Sequence, residues 1–290
     1  MPETAELLLD ARAELGEGPI WDPVVQRLYW VDILGCRVHV HTPSTGEDRV
    51  IQLSEMPGAV APRASSVLIL AQHSGFATLD LDDETVIPIA DPEADLPGNR
   101  FNDGKCDPSG RFWAGTLSLP QKEPLGALYR LDTDQSVTKV ETDITVSNGL
   151  TWTADRSTMY YIDTPTRVVS RYDYDDPTGS ISNRSTAIDL RDTEGFPDGM
   201  TIDAEGMLWV AFWGGWAINR YNPQTGDQIG RIHVPARQVT SCAFGGPELD
   251  TLYITTARQG CEGDTSQPHA GSLFVVKPGV VGLPAPAFAG

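Results

Sequence analysis

The chain has little cysteine and little positive charge, and each shortage narrows its chemistry. The four cysteines, Cys36, Cys106, Cys242 and Cys261, show no C-x-x-C spacing. A zinc ribbon or dithiol redox motif is therefore not expected, and the thiols read as reduced and mostly buried. Lysine and arginine total 21 against 40 aspartates and glutamates, for a net charge of −19. That balance argues against nucleic acid and anionic membranes as partners, since both need basic patches. No apolar run approaches the roughly 20 residues of a membrane-crossing helix. The opening MPETAELLLDARAE has neither the basic start nor the cleavage pattern of a secretory leader, so a cytoplasmic protein is expected. G-x-S-x-G, H-E-x-x-H and a phosphate-binding glycine loop are also absent, which argues against a serine esterase or zinc protease.

What is present is punctuation and repetition. Hydrophobic residues make up 40% of the chain, enough for a sizeable core, and 28 glycines and 22 prolines are scattered as turn markers. GPIWDPVVQRLYWVDI, GKCDPSGRFWAGT, GLTWTADRSTMYYIDT and GMTIDAEGMLWVAFW share one pattern of apolar segment, polar turn and strand. CAFGGPELDTLYITTA repeats it with cysteine in place of the first glycine. The anchors Gly18, Gly104, Gly149, Gly199 and Cys242 are separated by 86, 45, 50 and 43 residues. The first gap holds two periods, so a sixth, degenerate repeat lies near Gly58 to Pro62. A period of roughly 40 to 45 residues built from short strands is a four-stranded propeller blade. The expectation is all-β: one six-bladed β-propeller domain over residues 1–290, with 280–290 an irregular tail. The apolar run from Ala5 to Ala13 would supply a strand to the last blade and close the ring. A pair of β-sandwiches explains the strands but not the period.

In a propeller the first strand of each blade lines the central channel. The residues preceding the five anchors are Glu17, Asp103, Asn148, Asp198 and Ser241, all oxygen-bearing, and ring closure would bring them together. Such carboxylate and amide oxygens suit a hard divalent cation. The competing reading is that Asp-Gly and Asn-Gly merely form turns, although Glu17 before Gly-Pro is poorly explained that way.

LGEGPIWD, RFNDGKCDPSGRFWAGT, SNGLTW, FPDGMTIDAEGMLWVAFWGG and TSCAFGGPELDTLYITTAR resemble the regucalcin (senescence marker protein)/gluconolactonase family from about Leu15 to Arg258. The resemblance implies a six-bladed propeller that hydrolyses sugar lactones with one divalent metal (Ca, Zn, Mn, Mg or Fe(II)) in the channel. It implies Glu17, Asn148 and Asp198 as metal ligands, Asp198 also as general base, and Arg100 and Asn102 as substrate contacts. Some relatives carry acidic residues after the AGT motif that reach the substrate; here Ser118, Leu119 and Pro120 stand there, leaving sugar specificity open. The partner expected is a small sugar lactone, with the protein a monomer or weak homo-oligomer. Two other functions fit the same architecture: hydrolysis of non-sugar lactones or organophosphate esters, and non-catalytic calcium binding.

Several residues read as structural. Asp103 and Lys105 are expected to form a local ion pair. His39 and His41 are expected on an exposed outer strand, and Asp32 and Asp163 are expected to bond backbone turns. Trp213 and Trp216 fit a pocket wall or blade packing equally well.

Overall fold

The computed structural model describes residues 4–64, 66–261 and 263–290. Six antiparallel sheets follow one another along the chain. Blades one to five span residues 16–52, 57–90, 99–144, 147–189 and 196–233, each four strands in sequence order. Blade six takes Gln238–Gly245, Thr251–Ala257 and Leu273–Val276 from the end of the chain and Glu6–Leu9 from its start. Glu6 lies opposite Val275, and the Ala5 N–H donates to the His233 carbonyl at 2.8 Å. The ring is thus closed by a strand from the opposite end of the sequence, as expected from the apolar run Ala5–Ala13. A single pair, Trp213 with Gln238, joins the sheets of blades five and six. No helix of the structure is long and apolar enough to cross a membrane.

Middle strands such as Arg27–Asp32 and Leu208–Trp213 are buried on both faces, because every blade is covered by two neighbours. Aromatic rings fill the wedges between blades. Phe76 meets Phe101 between blades two and three (centroids 4.8 Å apart), and Trp113 meets Trp152 between three and four (5.7 Å). Trp209 meets Phe244 between five and six (5.8 Å), and Trp21 meets Tyr253 across the closure between one and six (5.9 Å). Such pairs add about 0.5–1.5 kcal/mol each beyond their burial.

Buried carboxylates hold the repeats in shape. Asp32 accepts from the Leu15 and Gly35 N–H groups (both 3.0 Å), and Asp163 from Val146 N–H (2.8 Å); both bond backbone as expected. Asp107 and Asp203, which the sequence did not single out, go further. Asp107 accepts from Trp113 Nε1 (2.8 Å), Arg111 Nε (2.7 Å) and the Tyr174 hydroxyl (2.8 Å). Asp203 does the same for Trp209 Nε1 (2.9 Å) and Arg220 Nε (2.8 Å).

His39 and His41 correct an expectation. They are not on an exposed strand: both lie on the third strand of blade one and are buried. His39 stacks on Trp30 with centroids 3.7 Å apart and bonds Asp48 through Nδ1 at 2.7 Å. Burial lowers the proton affinity of His41. The two histidines belong to the packing of blade one and stand apart from the channel residues.

The tail has no regular strand yet is firmly seated. Its Val281 carbonyl accepts from Ala204 N–H (2.9 Å) and its Gly282 N–H donates to the Leu249 carbonyl (2.8 Å). It then reaches blades two and three, where Phe288 N–H bonds the Pro62 carbonyl (2.7 Å) and Ala289 N–H bonds the Gly110 carbonyl (2.9 Å). On the way residues 283–286 border a cavity of about 450 Å³ that also takes in Lys105, Thr151 and Thr201.

Candidate active site at the channel mouth

The innermost strands are Gly16–Asp22, Pro57–Ala64, Asn99–Cys106, Ser147–Trp152, Phe196–Ile202 and Gln238–Gly245. Every one of them breaks register with its partner at the same phase. The breaks fall between Glu17 and Ile20, Pro57 and Ala59, Phe101 and Gly104, Ser147 and Leu150, Pro197 and Met200, and Val239 and Ser241. An extra residue at such a bulge re-aims the side chains around it. This is why polar residues recur where a simple strand would alternate.

Gly18 has the positive φ of 51° that turn chemistry assigns, but two of the other glycines have a different role. Gly149 and Gly199 sit inside strands, and neither has the positive φ that favours glycine in turns. A Cβ on Gly199 would lie 2.4 Å from the Ser241 Cβ, and one on Gly149 would lie 2.6 Å from the Met200 Cβ. Neighbouring innermost strands converge so closely that only hydrogen fits. Gly199→Ala is expected to cost about 1–3 kcal/mol through overpacking, read as a lower urea midpoint, because the opposing atoms belong to the next blade.

One cavity of about 320 Å³ collects all five site residues expected from the sequence: Glu17, Arg100, Asn102, Asn148 and Asp198. Each is at most 6% exposed. A chain of hydrogen bonds fixes the polar wall. Arg100 donates to the Asn102 amide oxygen (2.8 Å) and the Phe101 carbonyl (2.9 Å). The Asn102 amide donates to Asn148 Oδ1 (3.0 Å) and the Ser147 carbonyl (2.7 Å). Asn148 Nδ2 then donates to Thr164 Oγ1 (2.8 Å), whose hydroxyl donates to the Pro197 carbonyl (2.8 Å). Thr164 had no signal in the sequence, since it is the last residue of its repeat and lies in a short 3-10 turn.

Asp103 is placed differently. It is buried, accepts from its neighbour Gly104 N–H (2.7 Å), and does not line this cavity. Lys105 does not close the expected ion pair with it. Its ammonium crosses to the Met200 carbonyl of blade five at 2.8 Å, and acts on Asp103 only as a nearby charge. Trp213 lines the cavity, while Trp216 stacks on His233 (6.3 Å) away from it.

The electrostatics are dominated by crowded acids. Burial, then the charge of Asp103, pushes the Glu17 carboxyl up from 4.5 to about 8. Burial and the charges of Glu17 and Asp103 raise Asp198 well above the usual carboxylate range. Burial pulls Arg100 down to about 10, so it remains a cation at neutral pH. Among the described residues no three His, Cys, Asp or Glu side chains form a ready metal cluster; the available donors are two carboxyls and the Asn148 amide. They nevertheless suit a divalent cation. All donors are oxygens, two are carboxyls crowded together, and Arg100 is the only cation among the described residues that line the cavity.

The pH response follows from these shifts. Glu17 and Asp198 hold protons more tightly folded than unfolded, so the cation-free protein is most stable below about pH 4 with respect to them. Stability is expected to fall as pH rises from there through about 8. A divalent cation should flatten that slope, and thermal melts across the range with and without cation will check it.

The SMP-30/Gluconolactonase/LRE-like region matches residues 15–258 of this sequence. The chain belongs to that family. Pentonolactonase XacC of Haloferax volcanii is 40% identical over 291 residues, covering 97% of each chain. Regucalcin of Xenopus laevis is 40% identical over 293 residues, covering 98% of each. Among solved structures, a calcium-binding protein, regucalcin, from Agrobacterium tumefaciens superimposes with a TM-score of 0.95 at 33% identity, over 99% of this chain and 98% of the other. The SMP-30/gluconolactonase match begins just before Glu17 and ends just before Gln259, so it spans all five site residues expected from the sequence.

Proposed function

We propose that this protein hydrolyses a sugar lactone to the aldonic acid in the 320 Å³ cavity, with one divalent cation held by Glu17, Asn148 and Asp198. The observation that carries the reading is the convergence of those three donors with Arg100 and Asn102, from strands that are far apart in sequence. The lactonase name of a relative that matches over the full length supports the reaction class. The calcium-binding name of the Agrobacterium structure supports a cation. Oxygen donors alone favour a hard cation.

When bound, such a cation supplies Lewis-acid polarisation of the lactone carbonyl and a bound water of lowered pKa. The side chains do the rest. Asp198, a buried carboxylate lining the cavity, takes a proton from the attacking water as its oxygen bonds to the carbonyl carbon. The ring C–O bond then breaks, and the same proton passes to the departing ring oxygen. This balances the hydrolysis without any further reactant. Arg100 is buried and charged, and its hydrogen bond to Asn102 leaves the rest of its guanidinium fork to face developing negative charge. Asn102, clamped between Arg100 and Asn148, presents a fixed amide to the sugar.

Exhaustive chelation is expected to reduce aldonolactone opening by at least about 100-fold, with recovery on adding back a single divalent cation, as Lewis-acid contributions of several kcal/mol require. Proton release in weak buffer at constant pH measures it, cation by cation. Full activity in the chelated protein would remove the cation from the reaction.

A further inference from the structure

Two long polar side chains at the cavity rim are left without a task by this mechanism. Gln121 and Gln259 both line the cavity and are exposed. Neither side-chain amide has a hydrogen-bond partner among the described residues. They come from different places. Gln121 follows the second strand of blade three, Phe112–Ser118, and Gln259 follows the second strand of blade six, Thr251–Ala257. In a ring of six, blades three and six face one another across the axis.

Each is held by backbone. The Gln121 N–H donates to the Ser118 carbonyl (2.8 Å), closing a turn that leaves Gln121 at φ 53°. The Gln259 N–H donates to the Glu14 carbonyl (3.0 Å), tying it to the segment that leads into Glu17. The same cavity is also lined by Leu117, Phe196 and Trp213, which are available to the C–H faces of a ring. On a chain with 40 acidic residues, the two free rim groups are uncharged amides. A carboxylate there would add to the repulsion between Glu17 and Asp198. An amide instead both donates and accepts, which matches a hydroxyl or a pair of neighbouring hydroxyls.

Resting on the lactonase reading above, we infer that Gln121 and Gln259 are the specificity-determining pair: they bracket the cyclic substrate from opposite blades and hydrogen-bond its ring hydroxyls. A polyhydroxylated lactone is thereby preferred over a bare lactone of the same ring size.

The test uses the cation-loaded full chain, with D-glucono-1,5-lactone and δ-valerolactone as substrates and 1,5-anhydro-D-glucitol as a ring polyol that cannot be hydrolysed. Gln121→Gly removes the amide while keeping the left-handed position, which glycine adopts freely; Gln259→Ala shortens the other arm. Each variant is expected to raise KM for gluconolactone about 10-fold, the worth of one good hydrogen bond, with kcat within about 3-fold. Opening of δ-valerolactone should stay within about 2-fold of wild type, and the calorimetric Kd for the anhydroglucitol should rise about 10-fold. Unchanged KM and Kd in both variants would overturn the inference. So would a wild-type protein that neither binds the polyol nor prefers the hydroxylated lactone. Should the wild type open no lactone, the proposed function falls, and the polyol Kd series still decides the role of the two glutamines.

Discussion

Asp198→Asn is expected to lower kcat/KM for lactone opening by at least about 1,000-fold while leaving the fold intact, since it removes both a base and a charged ligand. The size follows from position. Asp198 stands at the bulge of blade five's innermost strand and lines the cavity beside Glu17. Asparagine keeps its shape and neither accepts the proton of the attacking water nor contributes charge. The same change should make the cation-free protein more stable at neutral pH, because burial beside Glu17 is what raises the Asp198 carboxyl. A variant that melts higher and turns over nothing would show that the acid is retained for chemistry at the expense of folding. Turnover at the wild-type rate would displace Asp198 from the proposed reaction.

Asp107→Ala is expected to be the most destabilising single change outside the hydrophobic core, at about 3–5 kcal/mol, the usual cost of breaking a buried charge pair. Three side chains converge on this fully buried carboxylate: Arg111, Trp113 and Tyr174. Its removal leaves a guanidinium, an indole N–H and a phenol without their acceptor where blades three and four meet. Asp107→Asn keeps an acceptor and should lose less. Urea midpoints followed by tryptophan fluorescence will separate the two, and a loss under 1 kcal/mol for the alanine variant would mean that Arg111 finds full compensation at Asp176.

Much of this architecture can be read from residues alone, because a blade is a local object. Its strands, turns and the Gly or Cys anchors recur at a period set by the length of a four-stranded meander, and Glu17, Asn148 and Asp198 share one phase of it. What escaped the sequence depends on how blades meet. The requirement for Gly149 and Gly199 is a clash with the next blade, so the dipeptides look like turns when they are close approaches. Lys105 bonds a carbonyl 95 residues away, and a charged neighbour two residues off was the more obvious partner. His39 and His41 alternate with valines as on a half-exposed strand, and only the packing of blade one reveals that both faces are covered. Gln259 lies outside every repeat motif. Membership of the ring, not any local pattern, brings it to the cavity.

The closure of blade six has a consequence for biosynthesis. Residues 6–9 leave the ribosome long before their sheet partner, Leu273–Val276, so they wait while more than nine-tenths of the described chain is made. At typical synthesis rates that is about 13 to 50 s with three leucines and an open hydrogen-bonding edge in water. Glu6 and Asp10 flank those leucines, charges of the kind that keep a waiting strand from pairing with another nascent chain.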